Sequence, residues 1–307
     1  EDDEADAEKA VNAYNTLKDN GMKVFIGTVT TGACLSVVSQ TKADNMFQIT
    51  PSASAAKVIA NDNCFQVCFT DPNQGTASAD YIASKGLATK VAVIYNSSDA
   101  YSSGIYDNFK AEAAAKGLDL VASEAFTGDS KQDFSSQLSK IKASGAELIF
   151  LPIYYQEASL ILSQAKNAGI TAKFFGCDGL DGLLNIENFD KSLAENVMLL
   201  TPFAANATDE TTKKFVAAYN AKYDPSTLNQ FAADAYDAVY IVKAAAEKAG
   251  ITGDMSVSDI CNALKGAMTE ITVDGVTGSG MTWKATGEVN KEPKAVKIEN
   301  GEYQPMD

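Results

Sequence analysis

The sequence contains no histidine. That absence removes Ser-His-Asp and Cys-His pairings and every histidine-containing metal site. It also removes the side chain most used for proton transfer near neutral pH. No run of about 18 or more apolar residues occurs, so no segment reads as a membrane span. The chain opens on Glu1-Asp2-Asp3-Glu4 without a signal-peptide pattern, and any targeting segment is expected to lie outside this sequence. A G-x-x-x-x-G-K-[ST] phosphate loop is missing, as is a D-x-[DN]-x-[DN]-G calcium loop. The glycines of Gly176-Cys177-Asp178-Gly179-Leu180-Asp181-Gly182 stand three apart, which is not dinucleotide-binding G-x-G-x-x-G spacing. Most common routes to an enzyme are therefore closed, and no cofactor or metal is expected.

Cysteine is sparse and odd in number: Cys34, Cys64, Cys68, Cys177 and Cys261. Their spacing fits no zinc ribbon or finger. Cys64 and Cys68 either bridge, if geometry permits, or act with the others as small buried residues.

What is present is a globular composition. Of 307 residues, 46% are hydrophobic and 21% charged, enough for real cores in one or two domains. The formal net charge of −15 argues against nucleic acid and anionic membrane surfaces as partners, since both need a basic footprint. High negative charge is mainly a solubility feature.

Apolar runs at 23–27, 46–50, 91–95, 147–151, 173–176 and 197–200 predict strands. Several are continuous and not alternating, as suits parallel strands buried on both faces. Amphipathic helices lie between them. Phe134, Leu138 and Ile141 recur at helical spacing, as do Ile105, Phe109 and Ala113, and Phe231, Ala235, Ala238, Val242 and Ala245. Gly117, Gly145 and Gly169 stand where helices should end. The alternation of strand and helix predicts an α/β fold with parallel-rich sheets. The length favours two α/β lobes, and without a Pro- or Ser-rich linker these are expected to be joined by several short crossovers.

Ligands of open α/β sheets bind beyond the carboxyl ends of strands. Here those loops are Thr28–Ala33, Pro51–Ser54, Asn96–Tyr101, Pro152–Glu157 and Cys177–Asp181. They supply hydroxyls, aromatics and carboxylates, the groups that a zwitterion with an apolar side chain needs. Two plainer readings stand beside this. The hydroxyl loops could be ordinary helix caps, and Asp178 and Asp181 could be a solvated or capping pair on a turn.

At these loops the sequence resembles the leucine/isoleucine/valine-binding proteins. The resemblance lies in Ile26-Gly27…Thr30-Thr31-Gly32, Thr50-Pro51-Ser52-Ala53-Ser54, Phe69-Thr70-Asp71-Pro72-Asn73-Gln74-Gly75 and Asp133–Leu138. It continues through Leu151–Ala158, Phe175–Gly179, Ala235–Val239 and Gly275-Val276-Thr277-Gly278…Trp283…Gly287, covering essentially the whole chain in order.

This resemblance implies a type I periplasmic-binding-protein fold, with two Rossmann-like lobes joined by three hinge crossovers and a ligand cleft between them. It places 1–72 and 203–290 in the first lobe, and 73–202 and 291–307 in the second. It implies Thr31 at a ligand carboxylate, the Ser52 carbonyl at an ammonium, Ser54 at both, and Asp178 as acidic partner of the ammonium. Tyr101 and Tyr154 would form an aromatic wall, and Phe231 would line the side-chain pocket. Relatives begin with a further strand-helix-strand block, so the first lobe is expected to lack its N-terminal β-α-β block and to expose sheet edge and apolar surface.

The implied function is capture of an amino acid outside the cytoplasm, in the periplasm or as a lipoprotein anchored at the outer face of the cell membrane. Delivery to an ABC transporter permease would follow, by a monomer that does no chemistry. Leu, Ile and Val lead as ligands, and Tyr155 and Phe203 add to the aromatic set that suggests an apolar side chain. A ligand-sensing receptor module, or a binder of an amide or aromatic acid, remains an alternative on the same fold. A dinucleotide-dependent reductase would need the missing glycine fingerprint.

Overall fold

The computed structural model describes residues 1–306. Along the chain run α1 (Ala7–Asp19), β1 (Phe25–Ile26), α2 (Thr31–Ala43), β2 (Gln48–Thr50), β3 (Cys64–Gln66) and α3 (Asp71–Ser84). Then come β4 (Lys90–Asn96), α4 (Ala100–Ala115), β5 (Asp119–Phe126), α5 (Ser135–Ser144), β6 (Leu148–Leu151) and α6 (Tyr155–Asn167). They are followed by β7 (Lys173–Gly176), β8 (Met198–Thr201), α7 (Glu210–Asn220), α8 (Gln230–Ala249), α9 (Val257–Met268), β9 (Lys294–Glu299) and β10 (Glu302–Pro305). Local sequence explains many boundaries. Asp6, Asp99, Asp209 and Ser256 each cap a helix by accepting backbone N–H bonds. Gly117, Gly145 and Gly169 end helices with φ of 73°, 70° and 67°, the left-handed conformation expected of them.

The chain forms two compact units, Glu1–Thr70 with Phe231–Glu292, and Asp71–Gln230 with Pro293–Asp307. It passes between them three times. The expected division differs in one substantial respect, since 203–230 belongs to the second unit. The Asn206 side chain bonds Gln304, the Asn185 side chain donates to the Leu228 carbonyl, and the Gln230 N–H donates to Asp181. Those contacts hold the segment to the larger sheet until α8 has begun.

The first unit carries a parallel sheet in the order β1-β2-β3, with Ile26 opposite Ile49 and Ile49 opposite Phe65. Its core stacks Phe47 on Phe65, 5.4 Å apart, among Ile241, Ile260, Leu264, Met268 and Trp283. The indole N–H of Trp283 donates to the Gln66 carbonyl at 2.7 Å, tying the C-terminal part of the unit to β3. β1 is an edge strand, and Val29 beyond it stands exposed, as do Tyr236, Val239 and Tyr240 on α8.

The second unit carries the order β10-β9-β8-β7-β6-β4-β5. Its first five strands in sequence, β4 to β8, are mutually parallel, while β9 runs antiparallel to β8 and β10. Apolar clusters cover both faces, one around Ile94, Ile149 and Leu151, the other around Val93, Phe109 and Phe150. That is why 91–95 and 148–151 read as unbroken apolar runs. All five cysteines are buried and none forms a disulfide among the described residues, so the small-residue reading holds and Cys64 and Cys68 do not bridge.

Candidate functional site

In the first unit the hydroxyl loops after β1 and β2 are stapled together. Thr50 Oγ1 donates to the Thr28 carbonyl at 2.6 Å and accepts from Ala53 N at 2.9 Å. Thr31 Oγ1 accepts from Ser54 N at 3.2 Å and Ala55 N at 3.4 Å. Gln66 Nε2 holds the Ala53 carbonyl at 3.1 Å. Thr31 and Ser54 are thus neighbours, and Ser52 is buried on the same loop.

The capping reading of these hydroxyls does not hold. Thr30 is the N-cap of α2 but makes no side-chain cap bond. Ser54 precedes a 3₁₀ turn whose cap position is Ala55. The Oγ atoms of Thr30 and Ser54 are buried with no hydrogen-bond partner among the described residues. A buried hydroxyl left unpaired costs about 1–3 kcal/mol, so two on adjacent loops are a costly arrangement unless they serve a ligand. Phe231 is half-buried in the first turn of α8. A hollow of about 240 Å³ beside β1, lined in part by Tyr14, Phe25 and Val29, contains none of the predicted site residues.

In the second unit the ends of β4, β6 and β7 bring Tyr101, Tyr154 and Asp178 together. Tyr101 Oη donates to Asp178 Oδ1 at 2.6 Å and accepts from Gly179 N at 2.9 Å. The Tyr101 and Tyr154 rings stack 4.7 Å apart. Gly179 is required here, because a Cβ would lie 2.6 Å from Tyr101 Oη and 2.8 Å from the Ile153 carbonyl. Tyr101 is itself buried, so it holds Asp178 while the half-buried Tyr154 covers it. Tyr155 packs instead at Gly182, and Phe203 against Phe215, so neither shares this stack.

The solvated reading of the two aspartates is overturned, since Asp178 is 3% exposed and Asp181 4%. Burial pushes the Asp178 carboxyl up to about 6, against the hydrogen bond from Tyr101. Burial likewise pushes Asp181 up to about 7, against the N–H bond from Gln230 and with the Asp178 charge adding to it. No lysine is paired with Asp178 among the described residues, and the sequence contains no arginine at all. Sequence reasoning missed Gln230, whose side chain donates to the Asp178 carbonyl at 2.7 Å. A lone glutamine opening an alanine-rich helix carries no signal that it reaches a turn 52 residues away.

The first unit thus carries hydroxyls at its strand ends, and the second, by itself, a buried carboxyl with aromatics at its own. The family model described as periplasmic binding protein matches residues 1–302. The chain belongs to that family. A Leu/Ile/Val-binding protein homolog from Brucella melitensis is 32% identical over 256 residues, covering 82% of this chain and 68% of that protein. A leucine-binding protein from Thermotoga maritima superimposes with a TM-score of 0.87 at 25% identity, covering 100% of this chain and 85% of the other. The branched-chain amino acid transporter substrate-binding protein of Streptococcus pneumoniae, solved with isoleucine, gives 0.87 at 26% identity over 99% and 84% of the two chains. The architecture, an α/β fold with parallel-rich sheets, matches that of type I periplasmic binding proteins.

Proposed function

We propose that this chain captures an amino acid with an apolar side chain, the branched-chain ones first, outside the cytoplasm, and hands it to an ABC permease. The observation that carries the reading is Asp178: a buried carboxyl, oriented by Tyr101 and paired with no side-chain cation among the described residues. A ligand ammonium supplies the missing counter-charge, and burial makes that pairing count for more than it would at the surface. Without arginine, the ligand carboxylate falls to hydroxyls and backbone N–H groups, and Thr31 and Ser54 fill that role. The Ser52 carbonyl takes a second bond from the ammonium. Tyr154, backed by Tyr101, walls one side, and Phe231 lines the side-chain pocket. The leucine- and isoleucine-binding relatives support this ligand class.

In this reading capture proceeds by hinge closure, which ligand drives only so far as it binds the closed state more tightly. A thermal-shift screen against the twenty amino acids identifies the ligand, because excess ligand raises the unfolding temperature by mass action. Calorimetry on Asp178→Ala then tests the site. Binding should vanish, and an unchanged affinity sinks the assignment.

A further inference from the structure

We infer that Gln230, with Asp181 as its anchor, is a positioning residue that ties the ligand-binding carboxylate Asp178 to the chain segment crossing from the second unit to the first. The inference rests on the proposed role of Asp178. The crossing falls between Gln230 and Phe231, within the first turn of α8. Gln230 is fully buried and every polar group of its side chain is engaged. Its Nε2 donates to the Asp178 carbonyl at 2.7 Å, and its Oε1 accepts from Thr201 Oγ1, at the end of β8, at 3.1 Å. Its backbone N–H donates to Asp181 Oδ2 at 2.8 Å.

The last bond is unusual in origin. The first N–H groups of a helix lack intrahelical partners and are ordinarily satisfied by a residue just before the helix. Here a carboxyl oxygen 49 residues away does it. Asp181 stands three residues after Asp178 on the same turn, and the Asp181 N–H bonds the Asp178 carbonyl at 2.9 Å. The Asp178 N–H in turn meets Gln74 Oε1 at 3.3 Å. The main chain of Asp178 is therefore gripped on one side by α3 and on the other by Gln230. A rotation of the crossing segment that drags Gln230 must pull on the Asp178 backbone, and by reciprocity a ligand that fixes Asp178 restrains the crossing. Phe231, the proposed side-chain contact, is the next residue, so the same anchor sets where that ring begins. Gln230 touches no ligand in this scheme; it acts through Asp178 and Phe231.

The test uses L-leucine as probe, with dissociation constants from calorimetry and release rates from stopped-flow fluorescence. Gln230→Met keeps length and volume but removes both side-chain hydrogen bonds. It should weaken L-leucine roughly tenfold, mostly through faster release, while the pH at which affinity falls stays where the wild type has it, because the Asp178 carboxylate keeps Tyr101. Asp181→Asn, which retains an acceptor for the Gln230 N–H, should stay within about threefold of wild type, whereas Asp181→Ala should lose roughly tenfold. The Gln230→Met/Asp181→Ala double variant should lose less than the product of the single losses, since both break one linkage.

Fully multiplicative losses, or wild-type affinity in Gln230→Met, overturn the inference while leaving the ligand assignment standing. If no wild-type heat appears with L-leucine or any other of the twenty amino acids, the ligand assignment falls and this inference with it. Hydrogen exchange on the wild type guards against variants that do not fold. L-leucine should protect the 228–233 and 176–182 segments together, and protection of 176–182 alone overturns the linkage.

Discussion

Buried, cation-free carboxyls should make the ligand-free protein less stable as the pH rises toward neutrality. Asp178 goes from an ordinary 3.8 to about 6 and Asp181 from 3.8 to about 7, both chiefly by burial. An acid whose folded value lies above its unfolded value holds its proton longer when folded. Between those values the folded state binds more protons than the unfolded, so stability falls as pH rises. From about pH 5 to about pH 8, Asp178 removes about 1 kcal/mol and Asp181 about 3, together about 4 kcal/mol.

Carboxylates held below their ordinary value, such as Asp62 at about 2 beside Lys42 and Lys265, act with the opposite sign but titrate below this window. Asp99, also raised by burial, works in the same direction as the pair. The assay is urea unfolding followed by far-ultraviolet circular dichroism across that pH range. Trp283, the single tryptophan, belongs to the other unit, so its fluorescence serves as an internal comparison. Asp181→Asn should remove about 3 kcal/mol of the slope, since an amide keeps the acceptor but cannot ionise. Stability that is flat or rises from about pH 5 to about pH 8, or an unchanged slope in Asp181→Asn, refutes the reasoning.

Three further outcomes follow from the same geometry. Tyr101→Phe removes the hydrogen bond that favours the Asp178 anion and orphans the Gly179 N–H; it should destabilise the protein by about 2–3 kcal/mol in denaturant titration and move the loss of amino-acid affinity to higher pH than the wild type's. Ser54→Ala should leave the ligand-free unfolding temperature unchanged or slightly raised, because its hydroxyl has no partner, yet weaken amino-acid binding roughly tenfold by calorimetry. Lys291→Met removes an ammonium buried 3.6 Å from Asp234 and 2.5 Å from Thr277 Oγ1; denaturant titration should find the first unit weakened by about 3–5 kcal/mol, partly restored by adding Asp234→Leu.

Much of the second unit's sheet was legible because its central strands are buried on both faces. Runs such as Val91–Tyr95 and Glu147–Leu151 have little else to be. The strands that escaped are those whose burial is one-sided or brief. β5 carries Glu124 on a half-exposed edge, β3 is three residues long, and β9 has its apolar residues broken by Lys294 and Lys297. The assignment of 203–230 to the wrong unit has a related cause, because nothing in that stretch records which sheet Phe203 and Gln230 will pack on.

By itself the sequence determined the chemical types available: no histidine, no phosphate loop, hydroxyls and aromatics at strand ends, and the order of elements that makes an α/β fold. Those are local properties, set by residue identity and spacing. Tertiary structure decided what each group became. It turned Asp178 and Asp181 from apparent turn residues into buried carboxyls, left Ser54 Oγ sealed from both water and protein partners, and sent Gln230 to the Asp178 turn. Burial and pairing depend on which distant segments arrive, and the ionisation of a carboxylate depends on burial and pairing.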